Sequence, residues 1–100
     1  METFGEIIKL AREQNELLLR HVAAKMDIDQ AVVSKIERGE RKPTKEQVIR
    51  FSKFYKLNEE KLIVAWLSDK VAYEIQDEDY AQKALKVAEE KIKYFKKVKN

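Results

Sequence analysis

Apolar side chains recur three and four positions apart along the first third of the chain, which is the spacing of an amphipathic helix. This pattern and its capping residues predict helices over residues 3–14, 18–26 and 30–38. Asp29 is a suitable N-cap for the third of these helices, and Gly39 is placed to end it. We therefore expect three short helices in the first 39 residues.

The middle of the chain carries two further helix signals. Thr44 is followed three residues later by Gln47, a capping-box spacing that predicts a fourth helix ending near Tyr55. Asn58 is a suitable N-cap for a fifth helix, which the apolar pattern extends over residues 59–75.

The end of the chain predicts a sixth helix. Acidic residues at 77–79 suit the N-terminal pole of a helix dipole and the lysines after residue 90 suit the other pole, so we expect a helix over residues 78–97. In the five helices before it and their connections, the side chains predicted to face the core are Phe4, Ile7, Ile8, Ala11, Leu18, Val22, Ala23, Met26, Ile28, Val33, Ile36, Val48, Ile49, Phe51 (in part), Phe54, Leu62, Ile63, Trp66 and Leu67.

The composition narrows the fold class. Two Gly and one Pro in 100 residues, among abundant helix formers, predict an all-α domain rather than a sheet with turns. The sequence contains no cysteine, which excludes disulfides, thiolate zinc sites and thiol nucleophiles. It shows no signal-peptide pattern and no apolar run of the ~18 residues that a membrane span needs. We therefore expect a soluble cytoplasmic protein that does not contact a membrane.

Charge is distributed unevenly along the chain, although the net charge is only +3. Residues 33–53 carry seven Lys or Arg against three Glu, and residues 54–90 carry five against nine acids. Residues 91–100 carry five Lys and no acid. Two basic regions separated by an acidic one suggest a local surface for a polyanion. The same pattern is also compatible with a solvated surface that binds nothing.

The second and third predicted helices form a recognisable unit. Three residues, 27–29, connect them, and Asp27 stands where a left-handed backbone commonly ends a helix. Two short helices joined in this way form a helix-turn-helix, whose second helix can enter the major groove of DNA. The third helix keeps one mostly polar face outward, made of Gln30, Ala31, Ser34, Lys35 and Arg38.

Around this unit the sequence resembles the Cro and phage-repressor type of helix-turn-helix transcriptional regulators, the XRE family. The resemblance covers residues 3–68 and rests on spaced features that agree: Phe4, Gly5, Arg12, Val22, Ala23, SKIERGERKP at 34–43 and FYKLNEEKL at 54–62. It implies a five-helix lambda-repressor-like DNA-binding domain over residues 1–68. Residues 69–100 would then be a C-terminal helical extension.

The resemblance also implies roles for individual side chains. Base reading in the major groove is implied for four residues of the recognition helix, 30–38: Gln30, Ala31, Ser34 and Lys35. Phosphate contacts are implied for four cations: Arg38, Arg41, Lys42 and Lys45. Arg12 and Glu37 match positions that form a buried or half-buried ion pair between the first and third helices. We interpret that pair as structural, because losing one partner would leave the other charge buried alone.

Three features depart from the family pattern. Leu19 stands where the family often has a Gln that contacts phosphate, and Asp27 replaces the usual Gly of the turn. Ala31 and Val32 make the start of the recognition helix less polar than usual, which favours contact with thymine methyl groups. DNA binding is still expected, but the operator sequence stays open.

The sixth helix carries apolar residues at the spacing of a coiled coil, namely Ala81, Leu85, Ala88, Ile92 and Phe95. The small DNA-binding domain cannot easily cover this face. We predict that Leu85, Ala88, Ile92 and Phe95 form a homodimer interface, and that the dimer reads an inverted-repeat operator. The alternative is that this helix packs back onto its own domain.

The predicted function is sequence-specific binding of double-stranded DNA by a transcriptional regulator, either a repressor or an operon controller. The alternative is an antitoxin or a protein-interaction module that binds an unidentified partner protein through the sixth helix. We expect no enzyme, no metal and no cofactor. The single histidine, His21, has no clustered acids or cysteine around it in sequence, and Ser34 has no His and Asp framework.

Overall fold

The computed structural model describes residues 2–99, which form six α-helices and no strand. The helices are α1 (Phe4–Gln14), α2 (Leu19–Met26), α3 (Gln30–Glu37), α4 (Lys45–Tyr55), α5 (Glu59–Ile75) and α6 (Ala81–Lys99). The all-α prediction is confirmed. The chain divides into two compact units, one ending at Lys70 and the other beginning at Val71. Within residues 2–99, no helix is long and apolar enough to cross a membrane.

The capping residues act as the sequence predicts. The side chains of Asp29 and Asn58 accept hydrogen bonds from amides in the first turns of α3 and α5, at 2.9 and 2.8 Å. Thr44 and Gln47 form a reciprocal capping box, with distances of 3.0 and 3.1 Å. α1 begins one residue later than predicted because Thr3 is its N-cap. Local side-chain chemistry therefore sets these helix starts.

The prediction that Leu18 opens the second helix and faces the core is wrong. α2 begins at Leu19, while Leu18 is extended (φ −87°, ψ 155°) and 49% exposed. A leucine side chain has no acceptor for the free amides of a helix start. His21 compensates in part, because its Nδ1 accepts a hydrogen bond from the Leu18 amide at 3.2 Å. Leu19 packs partly buried against the core, which accounts for an apolar residue at this position.

The sixth helix begins at Ala81 rather than at residue 78, so acidic residues 77–79 lie outside its first turn. Hydrogen bonds that prolong the end of α5 explain the difference. The Gln76 amide donates to the Ala72 carbonyl at 2.9 Å, and the Glu78 amide donates to the Ile75 carbonyl at 3.0 Å. These acids therefore belong to the connection between α5 and α6.

The core of the first unit is apolar and includes residues from all five of its helices. Phe51 of α4 is fully buried, with ring-centroid distances of 5.9 Å to Phe4 and 6.3 Å to Tyr55. The buried apolar side chains are Phe4, Ile8, Ala11, Val22, Ala23, Met26, Val33, Ile36, Val48, Phe51, Tyr55, Leu62 and Trp66.

Several side chains predicted to face the core are not fully buried. Those that are only partly buried are Ile7, Ile28, Ile49, Phe54 and Ile63. Leu67 is 48% exposed, which contradicts its predicted core position. On α4 the residues buried beside Phe51 are Ser52 and Tyr55. Neighbouring residues of a helix differ by about 100° in direction, so tertiary contacts decide which of two adjacent aromatic residues is buried.

α1 and α3 approach each other closely at Gly5. A Cβ atom placed on Gly5 would lie 2.5 Å from the backbone carbonyl oxygens of both Ile36 and Glu37. Only a residue without a side chain fits between these helices. The C-terminal end of α3 therefore lies directly against the backbone of α1. The start of α1 is also held to α5, because the Phe4 amide donates to the Asp69 carboxylate at 2.9 Å.

Candidate nucleic-acid interface

α2, its turn and α3 form a helix-turn-helix. Asp27 adopts the left-handed conformation (φ 55°, ψ 47°) that ends α2, and the Ile28 amide donates to the Ala23 carbonyl at 3.1 Å. The extended backbone of Asp29 then starts α3. The buried side chains of the two helices are Val22, Ala23, Met26, Val33, Ile36 and Glu37. This burial orients the other side of α3 outward.

The outward side of α3 brings together the four residues for which base reading is predicted. Gln30, Ala31 and Lys35 are exposed, and Ser34 is half-buried. Gln30 and Ser34 are four residues apart, as are Ala31 and Lys35, so the four residues form two adjacent rows on the helix. α3 thus presents an amide, a methyl group, a hydroxyl and an ammonium group on one side.

The connection from α3 to α4 carries most of the predicted phosphate-binding cations. Gly39 has a positive φ of 76°, and the Arg41 amide donates to the Lys35 carbonyl at 3.3 Å. Arg41, Lys42 and Lys45, the first residue of α4, are all exposed. None of these three cations forms an ion pair with a residue in the described range 2–99. Their charges are therefore available to a polyanion beside α3.

Arg38 differs from these cations because its guanidinium already has protein partners. Its Nη1 donates to the Ser34 hydroxyl, while its Nε and Nη2 donate to the Glu40 carboxylate. The hydrogen bond between Arg38 and Glu40 raises the pKa of Arg38 and lowers the pKa of Glu40. Both side chains are about half exposed, at 51% and 54%. The Nε and Nη2 atoms of Arg38 are therefore already occupied by Glu40.

Arg12 and Glu37 form a bidentate ion pair that joins α1 to the end of α3. The distances are 2.8 Å from Arg12 Nε to Glu37 Oε2 and 3.1 Å from Nη2 to Oε1. Arg12 Nη1 also donates to the Leu17 carbonyl at 3.1 Å. The side chains are 14% and 4% exposed, and the hydrogen bond to Glu37 raises the pKa of Arg12. This pair holds α3 in place and does not face the outward side.

Two hydrogen bonds that position this surface were not apparent from the sequence. Trp66 Nε1 of α5 donates to the buried carbonyl of Pro43 at 2.9 Å, which fixes the connection before α4. Arg50 of α4 donates to the Met26 carbonyl at 2.5 Å, at the end of α2. Both acceptors are backbone carbonyls, whose surroundings a sequence does not reveal. The one available signal was Trp66 itself, since a buried indole usually finds an acceptor.

The other chemically reactive side chains near this surface have local partners. His21 Nδ1 accepts a hydrogen bond from the Leu18 amide, and the Ser34 hydroxyl accepts a hydrogen bond from the Arg38 guanidinium. No group of three or more His, Asp or Glu side chains within residues 2–99 could hold a metal ion.

The chain matches the protein family described as helix-turn-helix over residues 8–62, just over half of its length. The match begins within α1, ends within α5, and includes the whole of α2, α3 and α4. Comparisons with curated proteins and with solved structures found no match. From the family match and the geometry of α2 and α3, we conclude that the chain belongs to the XRE-type helix-turn-helix family of DNA-binding transcription regulators.

Proposed function

We propose that the protein acts as a homodimeric repressor or operon controller that binds an inverted-repeat operator, with α3 in the major groove of each half-site. The observation that carries the proposal is the continuity of two surfaces. The outward side of α3, from Gln30 to Lys35, is followed within the next seven residues by Arg41 and Lys42, which form no ion pair with any residue in the range 2–99. A helix in the groove with cations beside it suits both base edges and flanking phosphates.

The side chains of α3 suggest which base edges each could contact. The Gln30 amide can pair with adenine, the Ala31 methyl group can contact the thymine methyl, and the Lys35 ammonium can donate to guanine. Ser34 is held by Arg38 in the free protein, so its hydroxyl becomes available once Arg38 turns to a phosphate. Specificity would therefore depend mainly on Gln30, Ala31 and Lys35.

The cations beside α3 would supply most of the affinity. Each phosphate neutralised by a Lys or Arg contributes about 0.9 to the slope of log affinity against log salt concentration. Arg41, Lys42 and Lys45 have no internal ion pair to break among the described residues, whereas Arg38 must exchange Glu40 for a phosphate. We expect strongly salt-dependent binding.

A homodimer would place two recognition helices on one face of the duplex, about 34 Å apart for adjacent half-sites. The proposed interface is the apolar side of α6, formed by Leu85, Ala88, Ile92 and Phe95. Of these, Leu85, Ile92 and Phe95 are each more than 40% exposed, at 43%, 55% and 55%. Exposed apolar side chains at coiled-coil spacing are suited to burial between two chains.

Two alanine variants test this function. Lys35→Ala should weaken binding to the preferred site by ~1–3 kcal/mol and relax its specificity. Lys42→Ala should weaken binding to all sequences about equally and lower the salt slope by about 1. Titration of labelled duplexes at several salt concentrations measures both effects, with exposed Lys61→Ala of α5 as the control. Equal, sequence-independent losses for the two variants would contradict the assignment of α3.

The alternative function is an antitoxin or protein-interaction module, and the exposed apolar side of α6 favours it as a second candidate. In that case α6 would bind an unrelated protein, and substitutions in α3 would make little difference to the affinity for that protein. The same titrations identify a protein-interaction module without DNA binding, because such a module shows no salt-dependent affinity for duplex DNA. An antitoxin binds DNA as well as its partner protein, so capture of that partner through α6 identifies it instead.

A further inference from the structure

An apolar seam runs along one side of α6 in the second unit. It consists of Ala81, Leu85, Ala88, Ile92 and Phe95. These residues follow one another in alternating steps of four and three, the spacing with which two helices interlock. None of their side chains is buried. The seam is therefore suited to pairing with another helix.

The charges of the second unit are separated by sign along the chain. Four acids precede α6: Glu74, Asp77, Glu78 and Asp79. Five lysines and no acid occupy residues 91–99: Lys91, Lys93, Lys96, Lys97 and Lys99. Among the described residues, the ion pair that α6 forms is Lys93 with Glu89 at 3.6 Å, both about two-thirds exposed. One end of this unit is thus acidic and the other basic.

We propose that α6 pairs with α6 of a second copy of this chain in the antiparallel orientation, with the centre of the pair between Lys86 and Val87. The inference rests on the proposed homodimer and adds its geometry. An antiparallel pair sets the lysine end of each copy beside the acidic residues of the other. A parallel pair would set the two lysine ends side by side, with helix axes about 8–10 Å apart and therefore within roughly one Debye length.

The apolar side chains fit this centre. It sets Ala81 opposite the partner's Ile92, and Leu85 opposite the partner's Ala88. These two kinds of layer each join one small and one large side chain, which is how facing positions fill space without voids. Phe95 lies beyond the partner's Ala81, at the end of the paired segment. The lysines after residue 92 extend past the partner's Ala81 towards the connection that precedes its α6, where the acids at 77–79 lie. Opposed helix dipoles add to the preference for this orientation.

Disulfide cross-linking tests the orientation, because the native chain has no cysteine. In the antiparallel pair, Ala81 and the partner's Ala81 are eleven residues apart along the axis, roughly 16 Å at 1.5 Å per residue. Ala81→Cys alone and Ile92→Cys alone should therefore form few disulfide dimers under mild oxidation. An equimolar mixture of the two should form the mixed disulfide efficiently. Glu90→Cys, on the side of α6 opposite the seam, controls for random collision.

Cross-linking and a mass measurement in solution decide separate points. Rapid self-linking of Ala81→Cys would overturn the antiparallel orientation and leave the homodimer intact. A wild-type mass of 11.8 kDa at micromolar concentration, instead of twice that value, would overturn both the orientation and the homodimer. DNA binding by α3 would still be decided independently, by the Lys35 and Lys42 variants.

A second measurement needs no substitution. Raising NaCl from about 0.05 M to about 0.5 M should raise the dimer dissociation constant of the native protein by roughly tenfold, because salt screens attraction between the lysine ends and the acids. Sedimentation equilibrium of the full chain measures this change. A parallel pair would respond in the opposite direction, since salt would screen repulsion between lysines. A dissociation constant that falls or stays constant with salt overturns the proposal.

Discussion

Replacing Gly5 by alanine tests the contact that positions α3 against α1. In an exposed helix, this change raises helix propensity and stabilises a protein by about 1 kcal/mol. At Gly5 the added methyl group would lie 2.5 Å from the carbonyl oxygens of Ile36 and Glu37. The two effects have opposite signs, so the direction of the measured change shows which of them dominates.

The geometry indicates that the steric effect dominates. An ordinary contact needs at least 3.4 Å, so one of the two helices must move by roughly 0.9 Å. The contacted atoms are backbone carbonyls, which cannot rotate away as a flexible side chain can. Overpacking of this kind costs about 3 kcal/mol, the upper end of the usual range, and the gain in propensity offsets about 1 kcal/mol of it. We expect a net loss of about 2 kcal/mol in the free energy of unfolding.

Thermal and urea unfolding followed by circular dichroism measure this loss. For a domain of this size, a loss of 2 kcal/mol corresponds to a fall in Tm of roughly 10–15 °C. Lys9→Ala, on the exposed side of the same helix, is the control and should change stability by less than about 0.5 kcal/mol. A Gly5→Ala protein as stable as the native one, or more stable, would refute the close approach of α1 and α3.

Three further substitutions test other parts of the structure. Tyr55→Phe removes a buried hydroxyl that has no hydrogen-bond partner within residues 2–99, so stability at neutral pH should stay equal or rise by about 1 kcal/mol. Burial and nearby Glu37 raise the pKa of Tyr55 above that of an unfolded tyrosine, which is near 10. Above that pH the unfolded state loses this proton while the folded state keeps it, so the free energy of unfolding falls as the pH rises. Tyr55→Phe has no such proton and should lose less stability on going to pH 11. Trp66→Phe leaves the buried Pro43 carbonyl unpaired and should cost about 1–3 kcal/mol in urea unfolding. Glu40→Gln releases Arg38 and should raise affinity for duplex DNA severalfold in low-salt titrations.

Matched controls accompany these variants. Tyr94 is exposed, so Tyr94→Phe should show neither effect of Tyr55→Phe. If the two variants lose the same stability between neutral pH and pH 11, burial of Tyr55 does not cause the effect. For Trp66→Phe, native stability would mean that the indole hydrogen bond contributes nothing. For Glu40→Gln, the remote exposed Glu60→Gln is the reference, and equal affinity of the two variants would contradict competition between Glu40 and phosphate.

Much of the fold follows from local chemistry that can be predicted from the sequence. The caps at Asp29, Thr44 and Asn58 form with neighbours two or three residues away, so their spacing alone identifies them. The left-handed turn at Asp27 was equally local. The same local argument was wrong for α6, where amides after Ile75 bond back to α5 and displace the expected start of the helix.

The features that sequence patterns did not provide depend on distant partners. Which residue of α4 is buried depends on stacking of Tyr55 against Phe51, and periodicity alone favoured Phe54. The bond from Trp66 to Pro43 joins residues 23 positions apart, and its acceptor is a backbone atom without a sequence signature. The ion pair of Arg38 with Glu40 was missed because the family resemblance implies only a phosphate contact for Arg38 and nothing for Glu40.

The central claim, that α3 reads specific sequences on DNA as part of a dimer, is tested most directly by selection from random duplexes. The purified protein is incubated with random-sequence double-stranded DNA at several salt concentrations, and the retained duplexes are sequenced. The account predicts recovery of an inverted repeat with half-sites about one helical turn apart, and affinity that falls steeply with salt. Absence of any enriched sequence at low salt would contradict sequence-specific binding by α3 and favour the protein-interaction module.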